Sequence, residues 1–192
     1  MILTGPEIER QVELGRITLD PWVPKNVGPN SVDLRLHNEL KVYDMYAIKN
    51  RPVVGLWTPE KAAQQKQPAL SMTEDNPTID LSIPEEGFVL QPGNLYLGRT
   101  VERVHTDHFV PKVDGRSSIG RLGMQVHVTA GFCDTGFSGT ITLEITVVHP
   151  LRVLPGVRIC QVCFTEPRGE IRLYEGRYQD QVEATPSRFH VG

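Results

Sequence analysis

Three short stretches hold residue types that can do chemistry. Gly115-Arg116-Ser117-Ser118-Ile119-Gly120-Arg121 combines two glycines, two hydroxyls and two guanidiniums with no fixed negative charge. Such groups hold a triphosphate: backbone N–H donors on a sharp turn, hydroxyls and bidentate arginine. Taken alone, a capped surface turn is an equal reading, because the spacing is neither a P-loop nor a dinucleotide fingerprint. His127 to Asp134 (His-Val-Thr-Ala-Gly-Phe-Cys-Asp) follows. Asp134, near Gly136 and Gly139, can orient a water or a sugar hydroxyl, or simply bond its own turn. His127, between Val126 and Val128, reads as a half-buried ring rather than a base. Glu144 stands in mid-strand between Thr142 and Thr146. A carboxylate on a partly enclosed strand face costs free energy unless it is paired or functional, and it suits proton transfer near neutrality. A glutamate on a solvated strand face is the equal alternative.

Cys160-Gln161-Val162-Cys163 matches the C-x-x-C spacing of metal and redox sites. It lies inside an apparent strand, where an offset of three residues sends the side chains to opposite faces. No second Cys/His pair has ligand spacing, so both are expected as small packing residues. The zinc-deaminase signature, H-x-E with P-C-x-x-C, is absent from the chain.

The elements that must position these residues are mostly strands. Fifteen prolines and 17 glycines punctuate the chain, which favours short strands and turns over long helices. One helix is signalled at the start: Thr4 and Glu7 have capping-box spacing, Leu3 and Ile8 can form a hydrophobic staple, and Gly15 can stop it. Ser31 to Leu36 alternates as a strand, with Val32, Leu34 and Leu36 on one face and Asp33 and Arg35 on the other. Ala47 to Asn76 has little periodicity and reads as a surface excursion, with Glu60 to Gln67 a short helix or loop. Phe88-Val89-Leu90, the turn Gln91-Pro92-Gly93-Asn94, and Leu95 to Gly98 read as a hairpin. Thr140 to Val148 is the clearest strand, with Ile141, Leu143, Ile145 and Val147 on one face. Val157 to Phe164, apolar apart from Arg158 and Gln161, reads as a strand buried on both faces. The sum predicts a mostly β fold, a β-barrel or jelly roll with a few short helices.

Bulk properties narrow the partners. At 192 residues the chain fits one domain, residues 1–192. Its net charge of −3, without a Lys/Arg run, argues against binding nucleic acid or a membrane surface. No apolar run approaches the ~18 residues of a membrane span. The N-terminus is acidic and broken by Pro6, unlike a signal peptide, and three cysteines suit a reducing compartment. A cytoplasmic protein is expected. The stretch 174–192 is polar and aperiodic, hence a flexible tail when alone.

The run Gly115 to Gly123, then His127 to Asp134, Gly136-Phe-Ser-Gly139 and Thr142-Leu-Glu-Ile145, resembles the dCTP deaminase branch of the dUTPase superfamily. Ser31 to Arg35, Phe88 to Gly98, Gln161, Tyr178 to Gln181 and Thr185 to Arg188 extend the resemblance over most of the chain. It implies a distorted jelly roll, a homotrimer with active sites shared between subunits, and deamination of dCTP to dUTP and ammonia without zinc. Glu144 would be the general acid and base, and Ser117 and Arg121 would hold the attacking water. Thr142 and Leu143 would present backbone groups to the pyrimidine. Arg116, Ser117 and Ser118, within the loop that includes Ile119 and Gly120, would grip phosphates. Gln161, Tyr174, Arg177 and Gln181 would add contacts, and Asp134 would meet the deoxyribose. Mg2+ would ride on the triphosphate, with no metal cage in the protein, and dTTP would inhibit.

Gly131-Phe132 stands where many deaminase-only relatives carry a His-Arg pair. That likens the chain to the bifunctional members, in which dUTP is also hydrolysed to dUMP and pyrophosphate. A glycine there would leave room for water near the α-phosphate, with Asp134 to activate it. Arg177 stands where lysine is common, and Asp180, Val182 and Glu183 replace residues often glycine or basic. The negative charge of Asp180 and Glu183 is expected to weaken closure of the tail, 174–192, over a triphosphate. Three rivals remain open at the level of sequence: a dUTPase alone, a non-catalytic nucleotide-binding regulatory trimer, and a deaminase of a modified cytosine nucleotide.

Overall fold

The computed structural model describes residues 1–49, 69–128 and 130–191. Glu60 to Gln67, together with most of the expected excursion and Thr129, lies outside the described residues. In chain order the elements are α1 (Gly5–Glu13), β1 (Thr18–Asp20), a 3-10 turn (Pro24–Asn26), β2 (Val32–Tyr43) and α2 (Met45–Lys49). There follow β3 (Thr78–Ser82), β4 (Phe88–Leu90), β5 (Tyr96–His105), β6 (Val110–Gly115) and α3 (Ser117–Gly120). The chain continues with β7 (Met124–Gln125), β8 (Ser138–Val147), β9 (Leu151–Val153), β10 (Arg158–Thr165) and a last 3-10 turn (Phe189–Val191). The fold is mostly β, as its turn-rich sequence predicts.

Eight strands form one sheet that curls into a nearly closed barrel. Its order is β6-β10-β2-β5-β8-β7, with β1 added on β5 and β3 on β2. Strand β2 runs well past the expected Leu36. Its first half pairs with β10, and after a register shift between Leu36 and Leu40 its second half pairs with β3 and β5. Alternation decides the two faces. Leu34, Leu36 and Leu40 of β2 and Leu143 and Ile145 of β8 are buried in one core. Each fully buried Leu or Ile is stabilised by roughly 1.5–3 kcal/mol relative to exposure. The opposite face of β2, β5 and β8 carries the polar residues, in register. Lys41 pairs with Leu97, which pairs with Glu144; Arg99 pairs with Thr142.

Three local expectations are corrected. The capping box does not form: Thr4 makes no side-chain cap bond, and Glu7 turns to Arg10 and Gln11 along the helix. The charged guanidinium is the stronger partner for that carboxylate. Leu3 and Ile8 are both buried, as a staple requires. Phe88–Leu90 and the strand after it are not a hairpin, because β4 pairs with β9 in a separate two-stranded sheet. The Gln91–Asn94 turn carries the chain between sheets and is closed by a side chain: the Gln91 amide donates to the Tyr96 hydroxyl at 3.0 Å. Strand β10 is buried on one face only; Gln161, Cys163 and Thr165 are half-buried while Ile159, Val162 and Phe164 are buried. Cys160 and Cys163 do lie on opposite faces, one buried and one half-buried, and burial pushes both thiols up.

Candidate active site

Glu144 lies half-buried on the floor of a pocket of about 470 Å³. The sheet fixes it from both sides. Its backbone is paired with Leu97 of β5, and its amide donates to the Val126 carbonyl at 2.9 Å. The Val128 amide donates to Glu144 Oε2 at 3.3 Å. Thr142, Leu97 and Ile141 continue the floor, and Phe132, Cys133 and Asp134 form one wall. Burial pushes the Cys133 thiol up to about 12, so it stands as a neutral thiol. The Asp134 side chain is exposed at the rim. Its main-chain carbonyl closes the turn to Phe137 at 3.1 Å, while its carboxylate has no hydrogen bond or ion pair among the described residues. Asp134 lines the pocket.

The chain's own C-terminal stretch supplies the remaining wall. Tyr174, Tyr178, Gln181, Thr185 and Ser187 line the pocket. Tyr174 packs edge-on against Phe137 with ring centroids 6.0 Å apart. Gln181 forms a parallel bridge with Gly139, its carbonyl accepting the Thr140 amide at 2.9 Å. Gly139 has φ +156, and a Cβ there would approach the Gln181 carbonyl oxygen to 2.7 Å, so only glycine admits the strand-like approach. The acidic residues expected to disturb closure are matched to protein cations instead. Asp180 pairs with Arg103, and Glu183 lies 3.7 Å from Lys41.

The Gly115–Arg121 residues are elsewhere. Arg116, Ser117, Ser118, Gly120 and Gln161 line a second cleft of about 590 Å³ with Ser31 and Asp33. Ser117 and Ser118 are exposed, and Arg116 is paired with Asp33 at 2.9 Å. Gln161 accepts from the Ser31 hydroxyl at 3.1 Å. Ile119 packs against the core, and Arg121 is exposed with no ion pair among the described residues. Among the described residues no Lys or Arg lines the Glu144 pocket, which carries two carboxylates. Within one chain, then, the acid and the basic half of the expected site are not brought together.

Other expected residues have their own places. Leu143 points into the core, 1% exposed. Arg177 donates to the Arg188 and Phe189 carbonyls within the tail. Gly131 is buried, and the room beside it is filled by protein. A Cβ there would overlap the Val113 carbonyl oxygen and lie 2.9 Å from the His127 ring. The glycine lets residues 131–133 bond β6, with Gly131 O accepting the Val113 amide at 2.7 Å. Tyr43, Leu95 and Leu97 of the pocket were not anticipated. The polar alternation His37, Glu39, Lys41 beyond Leu36 was the available signal that β2 continues toward the site.

The family model described as dCTP deaminase-like matches residues 2–166. The chain belongs to that family. Within it, the chain is 47% identical over 188 residues to "dCTP deaminase, dUMP-forming" of Leptospira biflexa, covering 97% of this chain and 95% of the relative. It is 44% identical over 189 residues to the protein of the same name from Clostridium acetobutylicum, with coverage of 97% and 95%. The crystal structure of 2'-deoxycytidine 5'-triphosphate deaminase from Agrobacterium tumefaciens shares the fold, with a TM-score of 0.59 at 21% identity. That likeness covers 86% of this chain, which spans about half, 48%, of the Agrobacterium chain. The strands that carry Glu144 and the Gly115–Arg121 turn both fall inside the family match.

Proposed function

We propose that this protein converts dCTP to dUMP in two hydrolytic steps. In the first, water adds to C4 of the cytosine and ammonia leaves, giving dUTP. In the second, water attacks the α-phosphorus of dUTP and pyrophosphate leaves. The observation that carries the reading is Glu144 on the floor of a pocket, in a chain whose relatives over 97% of its length are named dCTP deaminase, dUMP-forming. Glu144 takes the proton of the attacking water, returns it toward the ring nitrogen, and passes the next to the departing amine. Fixed dipoles around the pocket lower the cost of charge that develops on the ring. Asp134, at the rim of the pocket, activates the second water.

The active site is assembled between subunits of a homotrimer. Among the described residues the Glu144 pocket has carboxylates and no cation, so it repels a triphosphate unless positive charge comes from elsewhere. The Arg116–Arg121 turn of a neighbouring copy supplies it, with Ser117 and Arg121 holding the attacking water and Ser118 a phosphate. That division of acid and basic residues between two clefts supports the shared site. Mg2+ would accompany the nucleotide and offset its phosphate charge, and the proposed steps use no zinc. No described helix is long and apolar enough to cross a membrane, and a cytoplasmic location is proposed with the activity.

The test is a product assay with dCTP and Mg2+ that follows ammonia, dUTP, dUMP and pyrophosphate together, with Glu144→Gln as control. Ammonia with dUMP and pyrophosphate, lost in the variant, is the expected result. Ammonia with accumulating dUTP would remove the second step. Hydrolysis of dUTP without ammonia from dCTP would make the protein a dUTPase.

A further inference from the structure

Strand β2 places a chain of charges beside the pocket that no step above uses. Glu39 and Lys41 share the polar face of the sheet with Leu97 and Glu144, the Lys41–Leu97–Glu144 row crossing three strands. At about 4.8 Å per strand, Lys41 stands about 10 Å from Glu144 along that row. Glu39 is half-buried and both its oxygens are taken. Oε2 accepts Arg99 Nε at 2.7 Å, and Oε1 accepts the backbone amide of Ala184 at 2.9 Å. Arg99 is itself fixed, its Nη2 lying 2.8 Å from His37 Nε2. Lys41 is buried, donates to Asp80 at 2.7 Å, and faces Glu39 at 3.9 Å and Glu183 at 3.7 Å. One residue further along the tail, the Thr185 amide donates to the Thr142 hydroxyl at 3.1 Å, next to the carboxylate floor.

We infer that Glu39 is a positioning residue: held by Arg99 and Lys41, its carboxylate docks residues 183–185 across the sheet and so sets how long the tail covers the Glu144 pocket. Three features support this. Ala184 is fully buried, so the tail is packed there rather than lying loosely. Its amide is met by a charged acceptor, which is stronger than a neutral one. The docking point precedes Thr185 and Ser187, which line the pocket, so release at Ala184 frees that wall. Glu39 does not touch the reacting atoms and acts only through the tail.

The kinetic part of this inference rests on the functional reading above; the structural part does not. Glu39→Gln keeps the size of the side chain but turns one acceptor into a donor, facing either Arg99 or the Ala184 amide. Ala184→Pro removes the same hydrogen bond from the other side, since proline has no N–H. It lies beyond β10, the last strand, so the barrel stays intact. Hydrogen exchange on the nucleotide-free protein is the first readout. The Thr185 amide should lose protection about tenfold in each variant, the size of one charge-assisted hydrogen bond. Amides of Leu97 and Leu143 in the sheet should be unchanged, which a general loss of stability would not allow. The double variant should be no worse than the worse single one, because both remove one contact. With dCTP, KM should rise about tenfold and kcat change by less than about twofold. Unchanged Thr185 protection in both variants, or additive effects, would overturn the latch. Normal latch behaviour with no ammonia released by the wild-type protein would instead sink the functional reading alone.

Discussion

The Glu144 pocket and the Gly115–Arg121 turn carry equally chemical residues, yet the fold treats them differently. Glu144 is set in a central strand with neighbours on both sides, and its carboxylate oxygen is met by the Val128 amide. Ser117, Ser118 and Arg121 sit on a single exposed helical turn. The first region is organised by one chain. The second offers two hydroxyls and the Arg121 guanidinium that have no hydrogen bond or ion pair among the described residues, while Arg116 is held by Asp33 and the Arg158 carbonyl. A group that must be poised for proton transfer gains from a rigid strand. In the proposed shared site, a turn that grips a triphosphate is kept free until the ligand and a second subunit meet it.

The sharpest way to break that comparison is to separate the halves. Glu144→Gln and Arg121→Ala should each lower ammonia release by at least about 100-fold, the scale of a lost general acid–base group or charge clamp. Co-expressed in equal amounts, the two inactive chains should recover about a quarter of wild-type activity, because random mixing leaves that fraction of inter-subunit sites with both halves intact. No recovery would mean that each chain builds its site alone, and the two clefts would need another explanation.

Gly131→Ala probes the rim between the two regions. The added methyl must displace the Val113 carbonyl or the His127 ring. Overpacking of this kind costs about 1–3 kcal/mol. At about 2–4 °C per kcal/mol for a chain of this size, the melting midpoint should fall by roughly 2–12 °C. An unchanged midpoint would show that residues 131–133 yield freely, and that the glycine serves the ligand rather than the packing.

Legibility in the sequence followed the same division. Alternation alone placed Ile141, Leu143, Ile145 and Val147 in the core and left Glu144 on the other face, because a strand with one buried side has one allowed register. The resemblance implied the remaining site residues and a site shared between subunits, but spacing along a chain could not show that those residues fall into two separate clefts. The Phe88–Gly98 hairpin failed for a related reason. Its turn residues are real, but the partner of Phe88–Leu90 is Leu151–Val153, some sixty residues downstream, and local turn chemistry cannot see it. Glu39 and Lys41 went unremarked because only the register shift in β2 and the return of the tail bring them to the pocket.

The smallest expected effect concerns the base of the latch and tells a structural histidine from a titrating switch. Burial, and then the Arg99 guanidinium, hold the His37 ring below the ordinary histidine value, with Glu39 opposing. The folded chain therefore prefers the neutral ring, which can accept from Arg99 at 2.8 Å. As pH falls through about 6.5, the unfolded chain takes up the proton first and unfolding gains. The stability from His37 is whole above that pH and is lost as pH falls through the lower folded-state value. His37→Gln keeps an acceptor for Arg99 but cannot titrate. Its melting midpoint should then decline less steeply than that of the wild type between about pH 7 and pH 5. Parallel slopes would mean that Arg99 and Glu39 hold the tail without help from the charge state of the ring.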